Sequence, residues 1–122
     1  ASGGDNHVAD CVIENNDLGL YVQHEKLFTL TDTQVNKNTS CGLRVTDSGV
    51  VSLDNSFADN FVAHLALDCY PLTHMRCTWT RSVDCDVYAR NGRAIKFIAN
   101  IFDGEMEDSC QFDGGEGYVF VK

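Results

Sequence analysis

Short runs of alternating apolar and polar residues, turns marked by asparagine and glycine, and a thin helical signal together predict an all-β, mostly antiparallel domain. The runs amount to about seven to nine strands. So many strand edges are usually hidden by closure, so the expected architecture is a compact β-barrel or β-sandwich with at most one short helix. The 122 residues fit a single domain, residues 1–122. No internal repeat, low-complexity tract or interdomain linker is read along it.

The best-marked element is a hairpin around Asn91-Gly92. Val83 to Arg90 leads in and Arg93 to Ile101 leads out, and Asn-Gly favours a type I′ turn because both central residues need positive φ. On the incoming strand Val83, Cys85, Val87 and Ala89 share one face; on the outgoing strand Ile95, Phe97, Ala99 and Ile101 do. Asp47-Ser48-Gly49 predicts a second hairpin, joining Leu43–Thr46 to Val50–Leu53. Further strands are expected at Leu18–His24, Leu27–Leu30, Met75–Arg81 and Tyr118–Val121. Phe57 to Leu67 is ambiguous. Phe57, Phe61 and Leu65 fit a helical spacing, while Phe61, Ala63, Leu65 and Leu67 alternate; a short helical turn near 55–60 followed by a strand to Cys69 is expected.

Cys11, Cys41, Cys69, Cys77, Cys85 and Cys110 form no C-x-x-C motif, and their even number and wide spacing predict a disulfide-braced chain. Six cysteines allow fifteen pairings; Cys69–Cys77, Cys85–Cys110 and Cys11–Cys41 is one candidate set. Disulfides imply a secreted, extracellular protein. Ala1-Ser2-Gly3-Gly4-Asp5-Asn6 reads as the start of a mature secreted chain, and Asn38-Thr39-Ser40 as an N-glycosylation sequon at Asn38.

The formal net charge of −9 disfavours nucleic acid and anionic membranes as partners, and no apolar run is long enough for membrane insertion. Acidic residues crowd the segment 103–116, from Asp103 to Glu116. Glycines there would let a loop wrap a hard cation, but the spacing is not that of a calcium loop, and a solvated connection is expected.

No cofactor is implied. His7, His24, His64 and His74 have no metal-ligand spacing and read as surface residues. His24, Glu25, His64, Arg76 and Arg81 supply the residue types of a ribonuclease-like hydrolase. Adjacent residues on a strand point to opposite faces, however, so His24 and Glu25 cannot both line one cleft. Trp79 is expected in the core. Tyr70, His74, Arg76, Tyr88 and Arg90 are the candidate binding residues of a non-catalytic protein whose partner is a host or extracellular protein, or a glycan; a small hydrolase or a carbohydrate-binding domain is the alternative.

The Leu20-Tyr21-Val22 strand, the Cys69/Cys77 pair, the Ala89–Ile98 hairpin and Cys110-Gln111 followed by Tyr118–Val121 resemble small secreted fungal proteins of the Alternaria major allergen family. That resemblance implies a β-barrel and a non-enzymatic effector or elicitor acting in virulence by binding host proteins, with no catalytic residues to transfer.

Overall fold

The computed structural model describes residues 4–69, 71–102, 110–114 and 119–121. Its strands fall into three sheets. Sheet A holds, in spatial order, β1 (Gly4–Ala9), β4 (Glu25–Thr31), β7 (Val50–Leu53), β10 (Leu72–Met75), β13 (Ile95–Ile98) and β16 (Val119–Val121). Sheet B holds β2 (Val12–Glu14), β5 (Gln34–Asn36), β8 (Ser56–Ala58), β11 (Thr78–Thr80) and β14 (Ile101–Phe102). Sheet C holds β3 (Leu18–Gln23), β6 (Cys41–Thr46), β9 (Val62–Leu67), β12 (Cys85–Arg90) and β15 (Cys110–Asp113).

Every strand pairing is parallel, and each strand pairs with the one three places further along the chain. The chain therefore winds as a β-solenoid of about five turns. This corrects the expected antiparallel barrel or sandwich, and with it the barrel implied by the allergen-family resemblance.

The reason lies at the corners. Asp10, Asp32, Asp54, Arg76 and Ala99 turn the chain from sheet A to sheet B, each with φ between 49 and 56°. Asn15, Lys37, Asp59 and Arg81 turn it from B to C, and His24, Asp47, Asp68, Asn91 and Gly114 from C back to A, again with positive φ. Asparagine and aspartate are the non-glycine residues that best tolerate this left-handed conformation, because their side chains can hydrogen-bond locally. One such residue bends the chain by a corner; a type I′ reversal needs two in succession. Asn91 is left-handed (φ 54) but the glycine after it is not, so Cys85–Arg90 and Ile95–Ile98 lie in different sheets and never pair. The same holds across Asp47, between Cys41–Thr46 and Val50–Leu53. The expected helical turn at 55–60 is instead β8, set between corners at Asp54 and Asp59; no described residue is helical.

The corners recur about every 22 residues, the sequence separation of the inter-turn contacts Asn38–Asn60 and Arg76–Asp54. The chain is thus a repeat, against the sequence reading. Inward side chains stack in columns from turn to turn: Ile13, Val35, Phe57, Trp79 and Phe102 from sheet B, and Val22, Val45, Ala66, Ala89 and Phe112 from sheet C. Phe57 and Trp79 lie face to face at 4.3 Å. Just inside the corners, buried amides tie successive turns. The backbone N–H of Asn38 donates to Asn60 Oδ1 (3.1 Å), that of Thr33 to Asn55 Oδ1 (3.0 Å) and that of Cys77 to Asn100 Oδ1 (3.2 Å).

No disulfide forms: all six cysteines are free thiols. Cross-linking two turns requires cysteines facing each other on successive turns, and none do. Cys41 and Cys85 flank Val62 from opposite sides, two strands apart, or roughly 10 Å. Cys110 faces Val87, which sets it one strand across and two residues along from Cys85, roughly 8 Å and beyond disulfide reach. Cys69 and Cys77 sit at opposite ends of β10. The inference from disulfides to an oxidising, extracellular compartment falls with them.

Candidate functional site

The outer face of sheet C carries two columns set by the parallel register. One runs Tyr21, Arg44, Leu65, Tyr88, Gln111; the other runs Gln23, Thr46, Leu67, Arg90, Asp113. Neighbouring members are about 4.8 Å apart along the solenoid. The Arg44 guanidinium lies over the Tyr21 ring, 5.1 Å from its centre. The Tyr21 hydroxyl donates to Gln23 Oε1 (2.9 Å) and the Tyr88 hydroxyl to Asp113 Oδ2 (3.4 Å).

This face continues around the corner to Phe61, a phenyl ring 45% exposed. A hollow of about 370 Å³ separates Phe61 from the sheet, lined by Thr39, Ser40, Cys41, Arg44 and Leu65. A second of similar size, also bordered by Phe61, is lined by Lys37, Asp59 and Val83. The rim is fixed: Thr39 and Ser40 hydroxyls donate to Asp17 Oδ1 at 2.9 and 2.7 Å, which lowers the Asp17 pKa. On the floor, burial raises the Cys41 thiol pKa, so that sulfur stays protonated and unreactive. Arg44 Nε is buried with no acceptor. A buried donor without a partner costs free energy until an acceptor reaches it.

A backbone irregularity holds this face in place. Gly19, Gly42, Ala63 and Asp86 are skipped in the sheet C register, one per turn. A Cβ on Gly42 would stand 2.7 Å from Val35 Cγ1 and 2.9 Å from the Ala63 carbonyl oxygen. Only a glycine lets the two turns approach there, and the strand that follows it presents Arg44 outward.

The residues named from sequence scatter. Tyr88 and Arg90 share the outer face of sheet C. Arg76 is at the far A–B corner, where its Nε and a terminal nitrogen grip the Asp54 carboxylate at 2.7 and 3.1 Å, lowering the pKa of Asp54. His74 is not a surface residue. It is fully buried, bonded to the equally buried His64 (2.7 Å between Nδ1 of His64 and Nε2 of His74), and burial pushes both imidazole pKa values well down. Asn38 is buried as well. Its Nδ2 donates to Asn60 Oδ1 (2.9 Å) and to the Ile13 carbonyl (3.4 Å), so the expected glycan has no place on it in the folded chain. Tyr70 and most of the acidic segment 103–116 lie outside the described residues.

The residues of the hydrolase reading do not converge. Glu25 is buried and accepts from Asn6 Nδ2 (2.7 Å), His24 is exposed against Asp47 (3.0 Å), His64 is in the core, and Arg81 grips Asp59 (2.7 Å). The sequence reading missed Tyr21, Arg44, Phe61 and Leu65 as a group. The 22-residue period would have placed Tyr21, Arg44, Leu65 and Tyr88 in one column. Comparison with known proteins adds no relative: no family model, curated protein or solved structure matches this chain.

Proposed function

We propose that the chain is a non-catalytic binding module that holds a protein partner against the outer face of sheet C and the Phe61 corner. The observation that carries this is the register-aligned column Tyr21–Arg44–Leu65–Tyr88 beside the hollow at Phe61. Tyrosine, arginine and phenylalanine are enriched where proteins meet and dominate the energetics there. The tyrosines and Arg44 are mounted on paired strands and Phe61 directly precedes one, so little ordering accompanies binding. The positive Arg44 guanidinium beside the hollow favours a partner segment that carries a carboxylate, with apolar side chains for Phe61 and Leu65.

The two tyrosines are separated by Arg44 and Leu65 and make no continuous aromatic platform, which favours a protein over a glycan as the occupant. The test is affinity capture with the wild type and with Leu65→Asp and Arg44→Glu, each checked by circular dichroism for an unchanged sheet spectrum. The expected result is a protein retained by the wild type, cross-linking to this face, and lost with either variant. Retention unaffected by both substitutions, or retention of immobilised glycans alone, overturns the reading.

A further inference from the structure

We infer that the His64–His74 contact is an acid-sensitive latch inside the solenoid, closed while both imidazoles are neutral and forced open on acidification because the dry interior cannot hold an imidazolium. The inference stands apart from the binding reading. His64 points inward from β9 in sheet C and His74 inward from β10 in sheet A, so their 2.7 Å hydrogen bond joins two sheets across the interior. Neither ring exposes any surface. In the neutral pair one N–H donates to one bare nitrogen, and that uses one nitrogen of each ring. His64 Nε2 and His74 Nδ1 are buried without a partner. A proton added to whichever of the two is bare creates an N–H with no acceptor and a charge with no hydration.

The walls supply no compensating charge. Leu43 of β6, Phe57 of β8, Val87 of β12 and Phe97 of β13 are apolar. Trp79 of β11 stands edge-on to His74, with ring centres 4.7 Å apart. Ser52 of β7 contributes a hydroxyl, 3.4 Å from the Cys77 sulfur. The thiols of Cys77, Cys69, Cys85 and Cys110 are held protonated by burial. The buried carboxylates of the described residues are engaged elsewhere: Glu25 accepts from Asn6, and Asp86, in the β12 bulge, from the Ser82 hydroxyl (2.6 Å). Among the described residues no carboxylate hydrogen-bonds to either ring. The aromatic faces give a cation some attraction, but less than the hydration it loses.

The sign follows from linkage. Both folded-state pKa values lie below the ordinary 6.5, so below that pH the unfolded chain takes up protons that the folded chain refuses. Stability is fully present above pH 6.5 and falls as the medium acidifies. Each histidine raises the unfolding constant by up to about tenfold per pH unit, the pair by about a hundredfold. Because β9 also carries Leu65 outward, opening the latch dismantles the outer face of sheet C with it.

Urea unfolding between pH 7.5 and 4.5, followed by the fluorescence of Trp79, the chain's one tryptophan, tests the latch. The wild type and a variant lacking the exposed His7 and His24 are expected to show the steep loss. The His64→Leu/His74→Phe double variant, which repeats the side chains of Leu43 and Phe97 in the same columns, is expected to flatten it. Ring-nitrogen NMR of the wild type decides independently should that variant not fold. The rings of His64 and His74 are expected to stay neutral below pH 6.5 until the protein unfolds. Protonation of the His64 and His74 rings near pH 6.5 in a folded protein, or a double variant with the wild-type slope, overturns the inference.

Discussion

At the scale of single residues, buried amides do what a barrel would have done with paired edges: they bind one turn to the next. Asn60 is fully buried; its Oδ1 accepts from the backbone N–H (3.1 Å) and Nδ2 (2.9 Å) of Asn38, and its Nδ2 donates to the Val35 carbonyl (2.8 Å). Asn60→Ala removes these bonds and strands three groups in a dry corner, each of which costs on the order of 1 kcal/mol or more. The expected loss is about 2–4 kcal/mol in a urea titration, with the slope of the titration unchanged; a loss under about 1 kcal/mol would show that water enters the corner and takes over. Gly42 makes the complementary point. A methyl group there meets the Ala63 carbonyl oxygen at 2.9 Å, and backbone cannot rotate out of the way as a side chain can. Gly42→Ala is expected to cost roughly 1–3 kcal/mol and to shift backbone NMR signals on β6 and β9 together.

At the scale of elements, the inward face of several strands was legible and their neighbours were not. Alternation correctly placed Cys85, Val87, Ala89, Ile95, Phe97 and Trp79 inside, since the pleat forces it whatever the partner strand. It failed for Ala99, a left-handed corner residue, and for Val83 and Ile101, both largely exposed near corners, because a corner resets the alternation. Pairing partners lie about 22 residues away and leave no local mark. The mark that exists, an asparagine or aspartate at eight of the fourteen corners, resembles the mark of a hairpin. The candidate site was half-read for the same reason: Tyr88 and Arg90 stood out locally, whereas Tyr21, Arg44 and Leu65 join them only through the solenoid's period. The corner account is testable at Asn91, exposed and at φ 54. Asn91→Gly is expected to leave stability within about 0.5 kcal/mol, whereas Asn91→Val, whose branched Cβ opposes positive φ, is expected to cost about 1–2 kcal/mol. Equal effects of the two in thermal melts would mean that the corner does not depend on its left-handed residue.

At the scale of the molecule, the fold explains two compositional features that sequence reading assigned to function. Six aspartates stand at left-handed corners (Asp10, Asp32, Asp47, Asp54, Asp59 and Asp68), so much of the negative charge follows from the winding and need not signal a partner. The cysteines are core side chains. Cys41, Cys69, Cys77, Cys85 and Cys110 are buried, and Cys11 alone is exposed. Burial pushes Cys69 up to about 11 and Cys85 and Cys110 up to about 12. The thiolate is the species that attacks a disulfide reagent, so these sulfurs are protected both by access and by protonation. A solenoid turn touches only its neighbours, so the central turns open last. A thiol reagent at neutral pH is therefore expected to modify Cys11 rapidly. The buried five should follow slowly, Cys110 in the last described turn before Cys41 and Cys69 in the middle, and all six should react at once in denaturant. A reductant should leave the urea midpoint unchanged, because there is no covalent brace to remove. A midpoint that falls on reduction, or fewer than six titratable thiols in the unfolded chain, would mean that sulfur bridges hold the turns together and that the stacked amides and apolar columns are not sufficient.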